Sequence, residues 1–307
     1  MSASMKIFGE LGEANVVAIG IFDGVHLGHQ AIIATAAKNK DSSKLSKLVT
    51  LTFDPHPTAI LAPEKEPLRL TTLEDRVQLL LSAGADAVAV IKFDRDFANL
   101  TPSEFIEDIL IDKLAASEVV VGENFTFGNK AAGKSKDLAA VLPTHVVPLV
   151  ESGSDVISST RIRNLLIDGD VTQAHHLLGR RFTLSGEVIH GEARGRKIGY
   201  PTANLKAATN ICIPADGVYA GWLSIPGNRW PAAISIGTNP TFPGERGRQV
   251  EAYVLDRDDL ELYGEIATYE FGLRLRETIA FDGLDPLLIQ MAQDCDQARN
   301  FSKLNKI

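Results

Sequence analysis

The sequence predicts two units of different class: an α/β unit with a mostly parallel sheet, then an antiparallel β unit followed by a C-terminal helix. Three observations lead there. Up to residue 150, β-branched runs alternate with helical patterns, as in a sheet covered by helices. From residue 182 to 271, strand signals broken by Gly and Pro follow one another without intervening helices, as in a barrel or sandwich. The last segment carries a stripe of Leu284, Leu287, Leu288, Met291, Cys295 and Ala298 at helical spacing.

In the first unit the candidate strands are 16–21, 48–53, 87–91, 118–121 and 145–150, with helices expected over 30–39, 73–83, 102–114 and 138–142. A short helical pair, 160–167 and 171–178, ends this region at Gly179. The division is therefore expected at 180, giving units 1–180 and 181–307. Strands are then expected over 182–189, 218–225, 232–236, 250–255 and 265–271.

Composition narrows the function classes. Of the 307 residues 45% are hydrophobic and 23% charged, ordinary for a soluble globular protein. Thirty-one basic against 39 acidic residues give a net charge of −8. That excludes a broad nucleic-acid-binding face and leaves room for a small basic pocket. Cys212 and Cys295 are too few for a disulfide framework and fit a reducing compartment. No signal-peptide pattern opens the chain, and its apolar runs are too short to cross a bilayer. A cytoplasmic, soluble protein is expected.

The first chemical signal is Gly20-Ile-Phe-Asp-Gly-Val-His-Leu-Gly-His-Gln30, between an apolar strand and a helical pattern. With both histidines in the first helical turn, their spacing sets His26 and His29 on one side, beside the helix's unpaired N–H groups. A helix start attracts anions, and two imidazoles there can donate hydrogen bonds to phosphate oxygens. Gly24 and Gly28 let the backbone approach a bulky ligand. Handling of a nucleotide's phosphates is indicated.

Ile157-Ser-Ser-Thr-Arg-Ile-Arg163 opens another helix, with Ser158 or Ser159 as its cap and Arg161 and Arg163 able to reach a polyphosphate. Alone it reads equally as an ordinary capped surface helix with two solvated arginines; paired with the histidine motif it is expected to form a second wall of one ATP site. Gly128-Asn-Lys-Ala-Ala-Gly-Lys-Ser135 matches the P-loop spelling, but a P-loop leaves a strand and enters a long helix at once. Here the preceding strand is expected to end at Val121 and the next helix is short, so the match is read as a decoy. Asp54-Pro-His-Pro57 reads as a rigid turn. No Cys/His set has zinc spacing.

The second unit has its own constellation, Gly195-Arg-Lys-Ile-Gly-Tyr-Pro-Thr-Ala-Asn204. In an extended chain Thr202 and Asn204 face the same side. A hydroxyl and an amide oxygen there could hold Mg²⁺ with the phosphates of ATP. Glu251 begins a strand and could be a general base, or a solvent-facing strand carboxylate.

Together these motifs resemble the bacterial bifunctional riboflavin kinase/FAD synthetase family, over residues 16–299. The matching stretches are 20–30, 52–57, 119–128, 157–163, 195–205, 235–242 and 250–264. The pairing of Pro201-Thr-Ala-Asn204 with Asn239-Pro-Thr-Phe242 is what marks this family within the wider nucleotidyltransferases. The resemblance implies an α/β nucleotidyltransferase (Rossmann-like) domain that moves AMP from ATP to FMN. It implies next a six-stranded antiparallel flavokinase barrel with a C-terminal helix, which phosphorylates riboflavin. By motif position, His26, His29 and Arg163 would serve adenylyl transfer catalytically. Gly20, Phe22, Asp23, Gly24, Gly28, Asn124, Ser159 and Thr160 would line its nucleotide. In the kinase, Gly195, Lys197, Gly199 and Pro201 would surround ATP, Thr202 and Asn204 would hold Mg²⁺, and Glu251 would be the base. Two departures stand out: Thr126, where the family commonly carries an arginine between the two phenylalanines of Asn124–Phe127, and the wording of Gly191–Arg194.

The implied substrates and products are riboflavin, FMN, FAD and ATP, with Mg²⁺ as cofactor. No nucleic-acid or membrane partner is expected, and a homo-oligomer is compatible with the sequence. Two rival readings are a single-activity nucleotidyltransferase with an accessory barrel, and a non-catalytic flavin- or nucleotide-binding regulator.

Overall fold

Strands buried on both faces read as continuous apolar runs, and such runs build the first sheet. The computed structural model describes residues 4–40, 46–191, 195, 198–237 and 248–305. Its strands in the first unit are β1 (Met5–Gly9), β2 (Asn15–Ile19), β3 (Leu48–Asp54), β4 (Ala87–Lys92), β5 (Ala116–Gly122) and β6 (Thr144–Val147). The sheet order is β1-β4-β3-β2-β5-β6, parallel throughout except for β1 against β4. Alternate residues feed two cores, as the pleat requires. Val17, Ile19, Val49 and Leu51 face one; Val16, Ala18, Leu48 and Val120 face the other. The first is covered by α3 (Phe105–Lys113), the second by α1 (Leu27–Asn39) and α2 (Leu73–Ser82).

The chain runs outward from β2 through β3 to β4, then returns to place β5 on the other side of β2. Such a reversal opens a crevice beyond the carboxyl ends of β2 and β5, where open α/β sheets bind ligands. Residues 20–26 leave the sheet there.

Three elements of the first unit depart from expectation. β1 was not anticipated; it is a short, half-exposed edge strand. The helix expected over 102–114 begins with a capping box between Thr101 and Glu104, then widens to a π-helix over α3, with Leu114 N–H reaching Ile109 O. The expected helix 138–142 starts earlier, as Ser135–Ala139.

By packing, the chain divides into residues 1–159 and 160–307. Helix α4 (Ser159–Ile167) passes this point, and α5 (Val171–Leu178) packs against the barrel. The expectation of 180 followed strand content and marks where the barrel strands begin, since the first of them starts at Phe182.

The second unit's strands are β7 (Phe182–Ile189), β8 (Thr202–Ala207), β9 (Gly217–Ile225), β10 (Asn228–Gly237), β11 (Gln249–Val254) and β12 (Ile266–Arg276). They close in the order β7-β8-β11-β10-β9-β12, all antiparallel, so the alternative of a sandwich is excluded. Helix α6 (Leu284–Leu304) packs Cys295, Ala298 and Phe301 against Ala220, Ala233 and Tyr253. Only part of its expected stripe is buried, for Leu284 is 47% exposed.

The buried Asp294 carboxylate anchors α6, accepting from Arg276 Nε at 3.0 Å and Nη2 at 2.7 Å and from Gln290 Nε2 at 3.0 Å. Removing one partner of such a pair leaves the other charge uncompensated. Asp294→Ala is expected to cost about 3 kcal/mol in urea unfolding of the barrel followed by tryptophan fluorescence. A loss below about 1 kcal/mol would show that α6 is held by its apolar contacts alone.

Candidate active sites

The turn after β2 is built from conformations most residues avoid. Phe22 has φ 54° and Val25 φ 41°, with Gly24 at 80°. A β-branched residue at positive φ is an outlier, and such strain persists only where the surroundings over-determine it. The Asp23 carboxylate, buried, accepts from Leu70 N–H at 2.9 Å and Thr71 N–H at 3.3 Å. Ser159 Oγ donates to the Asp23 carbonyl at 2.8 Å, and Gly24 N–H to Thr71 Oγ1 at 3.4 Å.

The histidines differ in role from the expectation that both lie in the helix. His26 is the cap residue of α1, its Nδ1 accepting from His29 N–H at 3.3 Å. That assigns the proton to Nε2. His29 lies in the first turn. The two rings stack, with centroids 3.6 Å apart and planes 18° apart. Burial first, then the neighbouring His26 and Arg76, hold His29 well below its ordinary 6.5. It is therefore a neutral donor at physiological pH rather than an imidazolium. A Cβ on Gly28 would stand 3.1 Å from the His26 ring, and one on Gly20 3.1 Å from the Phe22 ring. Both glycines thus make room for rings of the turn itself. The Phe22 side chain is fully buried, edge-on to His29, so only its backbone can meet a ligand.

Asn124 is exposed on the turn following β5, at the same end of the sheet. Helix α4 begins at Ser159, so Ser159 turns its hydroxyl to the Asp23 carbonyl instead of capping. Thr160 is exposed, and Arg163, one turn on, is buried with Nη1 3.4 Å from Thr160 Oγ1. The P-loop spelling is a hairpin: Gly133–Lys134 pairs with Thr126–Phe127, and Lys130 and Ala131 take positive φ.

In the barrel, Asn204 on β8 stands directly opposite Glu251 on β11, and Thr202 opposite Tyr253. Their side chains share the face opposite the buried Ala203 and Ala252. Thr202 Oγ1 donates to Glu251 Oε2 at 2.9 Å. A cleft beside them is lined by Gly191, Gly195, Pro201, Thr202 and Asn204. A Cβ on Gly191 would fall 2.4 Å from Asn204 Nδ2, so only glycine lets that segment lie on the asparagine. Gly199 takes φ 85° in the turn that leads to Pro201. Lys197 and residues 239–242 lie outside the described residues.

Two side chains escaped the sequence reading. Tyr269, fully buried, donates its hydroxyl to Ala203 O at 2.7 Å, and burial and the Glu251 charge push its phenol up. Arg76, 4% exposed, donates to Ile21 O and Phe53 O at 3.0 Å each. Neither carries a local spelling that sets it apart from an ordinary core tyrosine or a solvated helix arginine.

A family model described as FAD synthetase matches residues 10–161, and one described as riboflavin kinase matches residues 178–302. The bifunctional riboflavin kinase/FMN adenylyltransferase of Listeria monocytogenes is 38% identical over 291 residues, covering 93% of this chain and 92% of the relative. That of Bacillus subtilis is 37% identical over 300 residues, covering 95% and 94%. The chain belongs to this family. Its two activities are riboflavin kinase and FMN adenylyltransferase, taking riboflavin to FMN and FMN to FAD. A solved structure from Streptococcus pneumoniae, described as a macrolide-efflux protein, has a TM-score of 0.84 at 34% identity, covering 95% of this chain and 98% of that one. Among the described residues of this riboflavin kinase/FMN adenylyltransferase, no helix is long and apolar enough to cross a membrane.

The lowered His29 pKa has a consequence for stability. Below about pH 6.5 the unfolded chain takes up a proton that the folded adenylyltransferase unit refuses. This unit is thus expected to lose stability as pH falls from 7.5 to 5.5, and His29→Gln to lose less. Amide exchange in β2 across that range reads the difference; equal losses would contradict a neutral His29.

Proposed function

We propose that the two reactions run at separate sites, with residues 1–180 serving adenylyl transfer and residues 181–307 the kinase. The observation that carries this reading is the pairing of Thr202 and Asn204 with Glu251 in a closed barrel, while the stacked His26 and His29 belong to another compact unit. The order of the two family matches, residues 10–161 then 178–302, supports this assignment of the units.

The kinase must activate the 5′-hydroxyl of riboflavin, a poor nucleophile at neutral pH, for attack on the γ-phosphate. Glu251 is the base, and the hydrogen bond from Thr202 orients its carboxylate. Gly191, Gly195, Gly199 and Pro201 shape the segment that lies over ATP, and the family motif assigns Lys197 to the same nucleotide. The donor set also suits Mg²⁺: the Thr202 hydroxyl and Asn204 amide supply neutral oxygens, matched to a hard cation that keeps phosphate ligands. When bound, Mg²⁺ neutralises the phosphate oxygens of ATP, and Thr202 and Asn204 are the residues that would hold it.

Adenylyl transfer sets a different requirement. The phosphate monoester of FMN has a second pKa near ~6 and is largely dianionic at pH 7. It needs no base. It needs relief of repulsion between two anions while charge builds on departing pyrophosphate. His26 and His29 supply N–H donors at the start of α1, and Arg163 a permanent charge. Gly20, Gly24 and Gly28 allow close approach, and Asn124, Ser159 and Thr160 add polar contacts. Phe22 and Asp23 serve by fixing the turn. The protein's partners are accordingly small flavins and ATP. A cytoplasmic setting, without nucleic acid or membrane, fits its acidic balance and the buried thiols Cys212 and Cys295.

Glu251→Gln keeps an oxygen for Thr202 but removes the base. It is expected to slow riboflavin phosphorylation by on the order of 10²–10⁴ and to leave adenylylation of supplied FMN unchanged. His26→Ala with His29→Ala should do the reverse. Loss of both activities in a folded Glu251→Gln protein would contradict separate sites.

A further inference from the structure

Arg76 is the one buried cation at the carboxyl end of β2 and β3 among the described residues, and the residues assigned to substrate do not include it. It projects from the first turn of α2. Its Nη1 donates to Ile21 O and its Nη2 to Phe53 O, each at 3.0 Å, and it lies 3.6 Å from Asp54. Removing a guanidinium from water is costly, and a well-packed apolar side chain often replaces a buried ion without loss. Packing alone therefore does not account for a guanidinium here.

Its first target is the telling one. The Ile21 carbonyl also accepts Thr52 Oγ1 at 2.8 Å, so two donors fix one peptide. That peptide leads into Phe22, whose φ is 54°. On the other side of Phe22, the Asp23 carboxylate takes the N–H groups of Leu70 and Thr71. Segment 70–76 thus grips the strained turn twice, by backbone donors on an anion and by a cation on a carbonyl. Arg76 and Asp23 both set the path of the backbone toward His26 and His29.

We propose that Arg76 is a positioning residue for adenylyl transfer: by fixing the Ile21 carbonyl it holds the turn that presents His26 and His29 to the phosphates of ATP. This rests on the assignment of those histidines to that reaction. A second effect is electrostatic. His29 is faced by His26 and Arg76, and Arg76 by Asp23, Asp54, Arg69 and Glu74. Burial is the first cause that keeps His29 neutral, and losing the guanidinium removes a charge that adds to it.

The test is steady-state adenylylation of FMN by the full chain, in wild type, Arg76→Met, Arg76→Lys, Thr52→Val and the His26→Ala/His29→Ala variant. Amide exchange in β2 reports folding of the unit. Arg76→Met is expected to lower kcat about tenfold to a hundredfold, the scale of a slight misplacement of reacting groups. Arg76→Lys, which keeps the charge and can reach one carbonyl, should recover much of it. Thr52→Val removes the other donor to the same carbonyl and should lower kcat in the same sense. By NMR, the His29 imidazole, held low first by burial, should titrate higher in Arg76→Met than in wild type and stay low in Arg76→Lys, a difference that a merely stabilising arginine would not produce. Wild-type kcat, within about twofold, in folded Arg76→Met overturns the proposal when the histidine variant is inactive. An active histidine variant overturns the assignment of the histidines instead. If Arg76→Met loses protection in β2, wild-type kcat in Thr52→Val overturns it.

Discussion

The first unit depends on a turn that the chain would not hold unaided. Residues 22–25 combine positive φ at Phe22, Gly24 and Val25, and this path brings His26 to the cap of α1. The strain is balanced by two buried charges of opposite sign, Asp23 reaching out to residues 70–71 and Arg76 reaching in to Ile21. Everything the site offers follows from that closure. His26 must accept from His29 N–H for the rings to stack, and the helix must begin at Leu27 for its N-terminus to face the crevice. The sheet supplies the place, since the order β4-β3-β2-β5 opens the crevice where this turn leaves β2.

The barrel solves a different problem by register. A residue pair facing the same way across β8 and β11 brings Asn204 opposite Glu251, and the Thr202 hydroxyl crosses to the carboxylate. The ladder of β8 with β7 ends where Asn204 meets Ile189, and the next carbonyl, that of Ala203, takes the Tyr269 hydroxyl. A closed barrel leaves no sheet edge to rearrange, which suits side chains that must hold a fixed spacing. One unit thus presents donors to an anion that is already a nucleophile, and the other a carboxylate for a hydroxyl that is not.

Much of this was legible in the sequence because burial and turn chemistry write themselves locally. Val16 to Ile19 and Leu48 to Phe53 are apolar because both faces of a parallel strand are covered. The glycines at 20 and 28 mark close approaches to the Phe22 and His26 rings, and Gly24 marks a positive φ. β1 is invisible because an exposed edge strand needs no apolar run, and β8 because the polar Thr202, Asn204 and Lys206 alternate with Ala203 and Leu205 and leave no apolar run. The π-winding of α3 leaves no compositional trace. The engagement of the Asp23 carboxylate by the backbone of residues 70–71 is not legible, because the partner lies 47 residues away, beyond any local pattern. Arg76 is hidden for the same reason, since Ile21 is 55 residues distant. In α6 the stripe overstated burial because the helix projects its first turn past the barrel.

The central claim is that one chain carries two chemically distinct sites acting in sequence on the same flavin. Chromatography of flavins during incubation of the purified protein with riboflavin, ATP and Mg²⁺ tests it most directly. The account predicts that FMN rises first and FAD follows at its expense, and that FMN supplied directly is converted to FAD. Riboflavin left unchanged, with supplied FMN also untouched, would contradict it.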